Sequence, residues 1–139
     1  MKHADFNNEL FRAFPSLREA ARTEFGYMRE DQLGSYLIFE GILVPEIDKA
    51  SASDEDYFLK LMDFVERVAE PGIGACDDLV EIGLGERLSA LSNADRIRSV
   101  AGPNTTRALR KSQRTGWYKG PLASIFERLV LGGKGRRAD

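Results

Sequence analysis

The sequence predicts an all-α fold of about seven short helices in antiparallel hairpins, arranged as a HEAT-like stack or as an irregular helical bundle. Apolar residues recur at three- and four-residue steps along most of the chain, as they do on one face of a helix. No segment alternates apolar and polar residues for long enough to indicate a β-strand. Proline and glycine separate the periodic segments, which is typical of tight turns between neighbouring helices.

The first two predicted helices meet at a proline. Asp5 is a suitable N-cap for the first helix, whose apolar residues follow at helical spacing until Pro15. Proline interrupts a helix but is favoured in the first turn of the next one, so we expect Pro15 to open the second helix. Gly26 indicates where this second helix ends.

The third predicted helix, residues 31–47, is the most apolar segment and is expected at the centre of the fold. It begins at Asp31, and Pro45 is expected to kink or end it. Its two glycines, Gly34 and Gly41, each cost about 1 kcal/mol of helix stability relative to alanine. Glycines in such a place indicate the close approach of a neighbouring helix.

The fourth predicted helix is the cleanest amphipathic segment of the chain. A polar break at residues 51–53 precedes it, and Ser53 or Asp54 is the expected N-cap. Acidic residues follow in its first turn, where they complement the helix dipole. The positions expected to face the core are Phe58, Leu61, Met62, Val65 and Val68.

Four further helices complete the prediction. A fifth helix spans residues 75–91, and a shorter one spans residues 95–101. Asn104 or Thr105 is the expected N-cap of a basic helix. A last helix is predicted within residues 117–131.

Composition suits one soluble domain: the chain has 139 residues, 42% of them hydrophobic and 30% charged. We expect this domain to span residues 1–131, and residues 132–139 to form a flexible basic tail. With one cysteine, Cys76, and one histidine, His3, the chain has no internal disulfide, no cysteine-cluster metal site and almost no material for histidine-based catalysis. There is no long apolar run and no charged-then-apolar leader, so we expect a cytoplasmic protein without a membrane span.

Charge is distributed unevenly along the chain. Residues 1–95 contain 20 acidic and 9 basic residues, a net charge of −11, whereas residues 96–139 contain 2 acidic and 11 basic residues, a net charge of +9. Two interpretations are open. The basic end neutralises the acidic helices within one monomer, or the acidic helices face a basic partner.

No motif in the chain predicts catalysis or a bound cofactor. The stretch GIGACDDL, residues 72–79, lacks the third glycine of a dinucleotide-binding fingerprint, and its two aspartates would repel a phosphate. The abundant carboxylates match no calcium-binding spacing. Cys76 stands at a helix N-terminus, which favours a thiolate, but its acidic neighbours oppose one. We therefore expect no enzyme, metal or cofactor. Glu40 lies either on an exposed stripe of its helix or half-buried against an arginine such as Arg67 or Arg87, and we favour the structural ion pair.

The basic segment supports an alternative function in nucleic-acid binding or regulation. Four cations share one face of a predicted helix and an aromatic pair follows them, so phosphate contacts and base stacking are available. The residues for this alternative are Arg107, Arg110, Lys111, Arg114 and Trp117. The acidic field of residues 1–95 opposes long-range attraction to nucleic acid, which makes this the second choice.

Four segments form a recognisable pattern across roughly residues 10–115. They are Phe14-Pro15-Ser16-Leu17, Tyr36-Leu37-Ile38-Phe39-Glu40-Gly41, the helix at residues 58–69, and Gly102-Pro103-Asn104-Thr105-Thr106. In order and spacing the pattern resembles a group of small all-helical bacterial proteins, HEAT-like in build, that occur among immunity genes paired with polymorphic toxins. The resemblance implies an inhibitor that binds its cognate toxin tightly in the cytoplasm and performs no chemistry.

The acidic helices agree with that implication. A nuclease toxin needs a cationic surface to hold its substrate, so dense carboxylates on an inhibitor speed association and exclude wrong partners. We expect the partner to be a toxin with a basic surface, such as a nuclease. The residues expected to contact it are Glu30, Asp31, Asp54, Glu55, Asp56, Asp63, Glu66, Asp77, Asp78 and Glu81.

Overall fold

The computed structural model describes residues 1–115, and the side chains of residues 1–113. Its α-helices are α1 (His3–Ala13), α2 (Pro15–Glu24), α3 (Ser35–Ile38), α4 (Val44–Ser53), α5 (Glu55–Val68), α6 (Ala94–Val100) and α7 (Pro103–Thr115). Two π-helices (Phe39–Leu43 and Leu79–Leu84) and two 3-10 turns (Glu30–Gln32 and Leu88–Ala90) join them. The predicted all-α class is therefore confirmed and a helical bundle fits, while a HEAT-like stack stays a prediction. The predicted helix at 117–131 and tail at 132–139 lie outside the described residues.

The central helix is continuous from Ser35 to Ser53, through α3, the first π-helix and α4. Its inner face is buried, as expected of the most apolar segment. One detail of the prediction is wrong: the helix does not begin at Asp31, which lies in the separate Glu30–Gln32 turn. Of the two outcomes expected at Pro45, an end is excluded, since the helix continues through α4. The Val44 N–H donates to the carbonyl of Phe39, five residues back, which is the hydrogen bond of a π-helical turn. This turn ends immediately before Pro45, which has no N–H to donate.

Close packing explains one of the two glycines in the predicted third helix. A Cβ on Gly41 would lie 2.8 Å from the ring of Phe25, which confirms the predicted close approach at that position. Gly34 is the N-cap of α3, and a Cβ there would meet no atom within 4 Å, so the same prediction is wrong at this position. A third glycine, Gly83, is the most tightly packed of the three, because its Cβ would lie 2.6 Å from the ring of buried Phe39.

Helix α5 forms one wall of the core. Asp54 is its N-cap, and the Asp54 carboxylate accepts a hydrogen bond from the Tyr57 N–H at 3.2 Å, as predicted. Residues 51–53 are the last turn of α4 and not a polar break, since the chain leaves the helix only at Asp54. The predicted apolar face is buried at all five positions: Phe58, Leu61, Met62, Val65 and Val68.

The N-terminus is held by an extended contact, and this shifts the start of α1. Lys2 pairs with Ala75 in an isolated antiparallel bridge, and the Cys76 N–H donates to the Met1 carbonyl at 2.9 Å. Helix α1 begins directly afterwards at His3, so Asp5 lies in its first turn and is not the N-cap.

The predicted fifth helix, residues 75–91, is also corrected. A π-helix (Leu79–Leu84) and a 3-10 turn (Leu88–Ala90) replace it, because packing of the π-helix on the central helix and α7 outweighs the regular apolar spacing. Helix α7 begins at Pro103, one residue before the first expected cap. Within residues 1–115, no helix is both long and apolar enough to cross a membrane.

Candidate partner-binding surface

Three of the ten carboxylates predicted to face a partner hold the chain's own structure together. Asp54 caps α5. Glu66 on α5 accepts hydrogen bonds from the first turn of α7. Asp78, half-exposed, lies 2.8 Å from His3. These side chains face other parts of the chain, which lowers their availability to a partner.

Glu66 replaces the capping side chain that the sequence predicts for α7. The Asn104 and Thr105 N–H groups donate to its two carboxylate oxygens at 2.8 and 2.9 Å, and the buried Thr105 hydroxyl donates at 2.8 Å. Burial opposes ionisation of Glu66, but these three hydrogen bonds outweigh it and lower the pKa of the carboxyl. Gly102 makes the approach possible, since a Cβ there would lie 2.6 Å from the carboxylate.

Four other predicted carboxylates form ion pairs. Glu30 lies 3.7 Å from both Arg18 and Arg22, and Asp31 lies 3.1 Å from Arg29. The remaining two pair with the basic segment: Glu55 with Arg96, and Glu81 with Lys111 at 3.6 Å. At these two contacts the basic end neutralises the acidic helices within the monomer, as the first of the two open interpretations supposes.

The last three of the ten predicted carboxylates form no ion pair with the described residues. Asp77 is half-buried beside Asp78. Asp56 and Asp63 are exposed on the outer face of α5, and neither forms an ion pair within the part of the chain that the structure describes. Leu59 lies between them at helical spacing and is 38% exposed. This α5 outer face is therefore an apolar side chain flanked by two unpaired carboxylates.

A groove borders Glu30 and Asp31, which belong to the predicted contact set. It lies between α1 and the Glu30–Gln32 turn and encloses about 400 Å³. Its two acidic residues come from the turn, its two asparagines come from α1, and the buried residues Phe11 and Leu33 also line it. The lining residues are Ala4, Asn7, Asn8, Phe11, Glu30, Asp31 and Leu33.

The surroundings of this α1 groove suit a guanidinium or an ammonium group. Arg18 lies over the Phe11 ring at 5.2 Å from the ring centroid while its guanidinium stands 3.7 Å from Glu30. Asn7 donates to the Leu33 carbonyl at 2.7 Å, but its buried Oδ1 accepts no hydrogen bond from the described residues. The groove thus places carboxylates beside an aromatic ring, an arrangement that suits a cationic side chain.

A polar network around His3 is absent from the sequence-based predictions. The His3 ring lies 2.8 Å from the Ser35 hydroxyl through Nδ1 and 2.8 Å from Asp78 through Nε2, and it stacks on Tyr36. Burial, together with the Asp78 charge, raises the pKa of Tyr36 to about 12. His3 is 32 positions from Ser35 and 75 from Asp78 in the chain, so no local sequence pattern predicts the network. It ties the N-terminus to α3 and to the second π-helix.

The predicted ion pair of Glu40 is wrong within the described residues. Arg67 pairs with Glu9 at 3.5 Å, and neither it nor Arg87 reaches Glu40. Glu40 instead stands near Glu86. Burial of Glu86 and the negative charge of Glu40 raise the pKa of Glu86.

Cys76 is buried, and burial raises the pKa of its thiol, with Asp78 adding to the effect. The helix N-terminus is expected to favour the thiolate, which would lower this pKa, but burial and the acidic neighbours outweigh that effect. Among the described residues, no group of three or more histidine, cysteine or acidic side chains is placed to hold a metal ion.

The basic residues of the alternative function are only partly described. Arg107 and Arg110 are exposed on α7, and Arg107 donates to the Asn104 amide oxygen at 3.0 Å. Lys111 forms an ion pair with Glu81. The side chain of Arg114 and all of Trp117 lie outside the described residues.

The comparisons with known proteins leave the resemblance to immunity-type proteins as a prediction. Protein-family models, curated proteins and solved structures were compared with the chain, and none of them matches it.

Proposed function

We propose that this chain is a non-catalytic binding protein that inhibits a basic protein partner, a bacterial toxin of the kind implied by the resemblance. The observation that carries the proposal is the α1 groove, because it is concave and lined by acidic residues and an aromatic ring. An arginine or lysine side chain of the partner enters it and makes a charge-assisted contact with Glu30 or Asp31.

The groove retains capacity for such a contact. Both arginines near Glu30 stand at 3.7 Å, longer than a direct hydrogen bond, and both are partly exposed. Surface ion pairs of this kind contribute little, so a partner's guanidinium competes with them at small cost. A partner cation that displaces Arg18 from the Phe11 ring and is desolvated there gains more than one that stays in water.

The α5 outer face supplies a second contact. Asp56 and Asp63 attract a basic surface over long range, and Leu59 between them offers apolar area once the surfaces meet. Replacing Asp54 or Glu55 would be a poor test of this surface, because Asp54 caps α5 and Glu55 pairs with Arg96. Such changes remove contacts within the chain together with the charge.

The proposal is tested first by finding the partner. The tagged chain is used to capture protein from its native host at moderate salt, with and without nuclease treatment, and the captured protein is identified by mass spectrometry. The proposal expects one stoichiometric, nuclease-resistant partner that arrests growth when expressed alone and is harmless when co-expressed with this chain. Heterogeneous capture that nuclease removes would contradict it and would favour the basic helix α7.

The surface is tested with matched charge changes. The double variant Glu30→Gln, Asp31→Asn should weaken binding of the captured partner by about tenfold or more. The control Glu24→Gln, Asp95→Asn removes the same two charges from exposed positions on α2 and α6, and should stay within about twofold. Equal effects of the two double variants would mean that the groove is not the contact.

A further inference from the structure

A second cavity lies on the basic side of the bundle, between α6, α7 and the Leu88–Ala90 turn. It encloses about 310 Å³, a size at the lower end of small-molecule sites. It shares no lining residue with the α1 groove.

The polar part of its wall consists of hydrogen-bond donors. Arg98 projects from α6, Arg110 and Gln113 project from α7, and the Ser89 hydroxyl is a further donor, while the Thr106 hydroxyl already donates to the Ala101 carbonyl at 3.4 Å. Among the described residues that line the cavity, none is acidic. The wall is therefore cationic in a chain whose first 95 residues carry a net charge of −11.

The two guanidinium groups differ in the ion pairs that they form. Arg98 pairs with Asp95 at 3.2 Å, but the Asp95 side chain is fully exposed, so this contact is readily exchanged. Arg110 forms no ion pair with any described residue. An arginine fork pairs with phosphate or carboxylate through two parallel hydrogen bonds.

The rest of the wall is apolar. Leu88 is 4% and Leu109 is 9% exposed, and both line the cavity with Ala101. A ligand that fills this space needs an anionic end for the arginines and an apolar body for the leucines.

We propose that this cavity binds a small organic anion, whose phosphate or carboxylate group pairs with Arg98 and Arg110 and whose apolar part contacts Leu88 and Leu109. The proposal does not depend on the partner-binding surface. It assigns to Arg110 a role different from contact with a nucleic-acid backbone, because this residue lines a cavity whose size admits a small molecule.

The test uses the full chain and three probes of one shape: phenyl phosphate, benzoate and the neutral benzyl alcohol, titrated at constant ionic strength and followed by NMR of the backbone amides. We expect saturable binding of one of the two anions, with the shifted amides on α6, α7 and residues 85–90, and weaker binding of the alcohol. Which anion binds more tightly identifies phosphate or carboxylate as the preferred group.

Matched variants locate the site. Arg110→Gln should weaken binding of the preferred anion by about tenfold, the effect of losing one charged hydrogen-bond donor. Arg107→Gln lies one turn earlier on α7, is exposed and does not line the cavity, so it should leave binding within about twofold. Arg98→Gln provides a second cavity variant with the same expectation as Arg110→Gln. Absence of saturable binding, equal loss in all three variants, or tighter binding of the alcohol would overturn the proposal.

Discussion

Replacing Glu66 by alanine should destabilise the fold by about 2–4 kcal/mol, more than the same change at any other carboxylate of the predicted contact set. The carboxylate joins α5 to α7, and it accepts three hydrogen bonds of 2.8, 2.9 and 2.8 Å. Two of the donors are backbone N–H groups of the first helical turn, which have no partner within α7.

The magnitude follows from these contacts. Loss of a helix cap costs about 1 kcal/mol, and a hydrogen bond to a charged group contributes about 1.5–3 kcal/mol. The Thr105 hydroxyl is fully buried, so alanine at position 66 leaves it without its acceptor. The contributions overlap, and the sum stays near 2–4 kcal/mol, a fall in Tm of roughly 8–16 °C for a chain of this size. Glu66→Gln retains an acceptor but loses the charge, and should cost about 1 kcal/mol.

The assay is chemical denaturation followed by circular dichroism at pH 7 and at pH 3. Hydrogen bonding lowers the pKa of Glu66 in the folded state, so its contribution is complete above the unfolded pKa and disappears as the pH falls through the folded pKa. The stability difference between wild type and Glu66→Gln should therefore shrink on acidification. Asp63→Asn removes the same charge from the exposed face of α5 and should change stability by less than about 0.5 kcal/mol.

Two results would refute this reasoning. One is a Glu66→Ala variant as stable as Asp63→Asn, and the other is a difference between wild type and Glu66→Gln that does not change with pH. Gly102→Ala provides an independent check, because its new Cβ would lie 2.6 Å from the Glu66 carboxylate. It should destabilise wild type more than it destabilises Glu66→Ala, where that carboxylate is absent.

Two further predictions concern crowding and charge. Gly83→Ala should cost about 1–3 kcal/mol, since its Cβ would lie 2.6 Å from a buried phenylalanine ring. Gly34→Ala has no neighbour within 4 Å and only replaces an N-cap residue by a poorer one, so it should cost about 0.5–1 kcal/mol, less than Gly83→Ala. Equal losses in urea denaturation would contradict the packing account. Burial and the neighbouring charges of Glu40 and Glu81 raise the pKa of Glu86, so its ionised form destabilises the fold above its unfolded pKa. Glu86→Gln should therefore be more stable than wild type at pH 7 by about 0.5 kcal/mol, and this difference should disappear on acidification. A Tm of Glu86→Gln below that of wild type at pH 7 would contradict the prediction.

The parts of the fold that the sequence predicts correctly depend on short-range signals. Pro15 starts α2 because its fixed backbone angle suits a first helical turn, and Asp54 caps α5 because its carboxylate reaches an N–H three residues ahead. The buried face of α5 follows from three- and four-residue spacing alone. Such features need no knowledge of the rest of the chain.

The corrections arise where distant parts of the chain meet. Pro45 does not end the central helix, because a π-helical turn precedes it, and no sequence signal marks that turn. The regular helix expected over residues 75–91 gives way to packing of Gly83 against Phe39. Residues far apart in the chain thus decide the backbone geometry, which local propensity alone does not encode.

The candidate surface shows the same division. Composition and charge spacing alone identify which carboxylates the chain possesses, and they predict an acidic first part and a basic second part. Only the tertiary structure decides which carboxylates have partners within the chain: Glu66 bonds to α7, Glu55 pairs with Arg96, and Asp78 contacts His3. It leaves Asp56 and Asp63 on the outer face of α5. The physical reason is that charge is a property of each residue, whereas burial, pairing and exposure depend on which helices pack together.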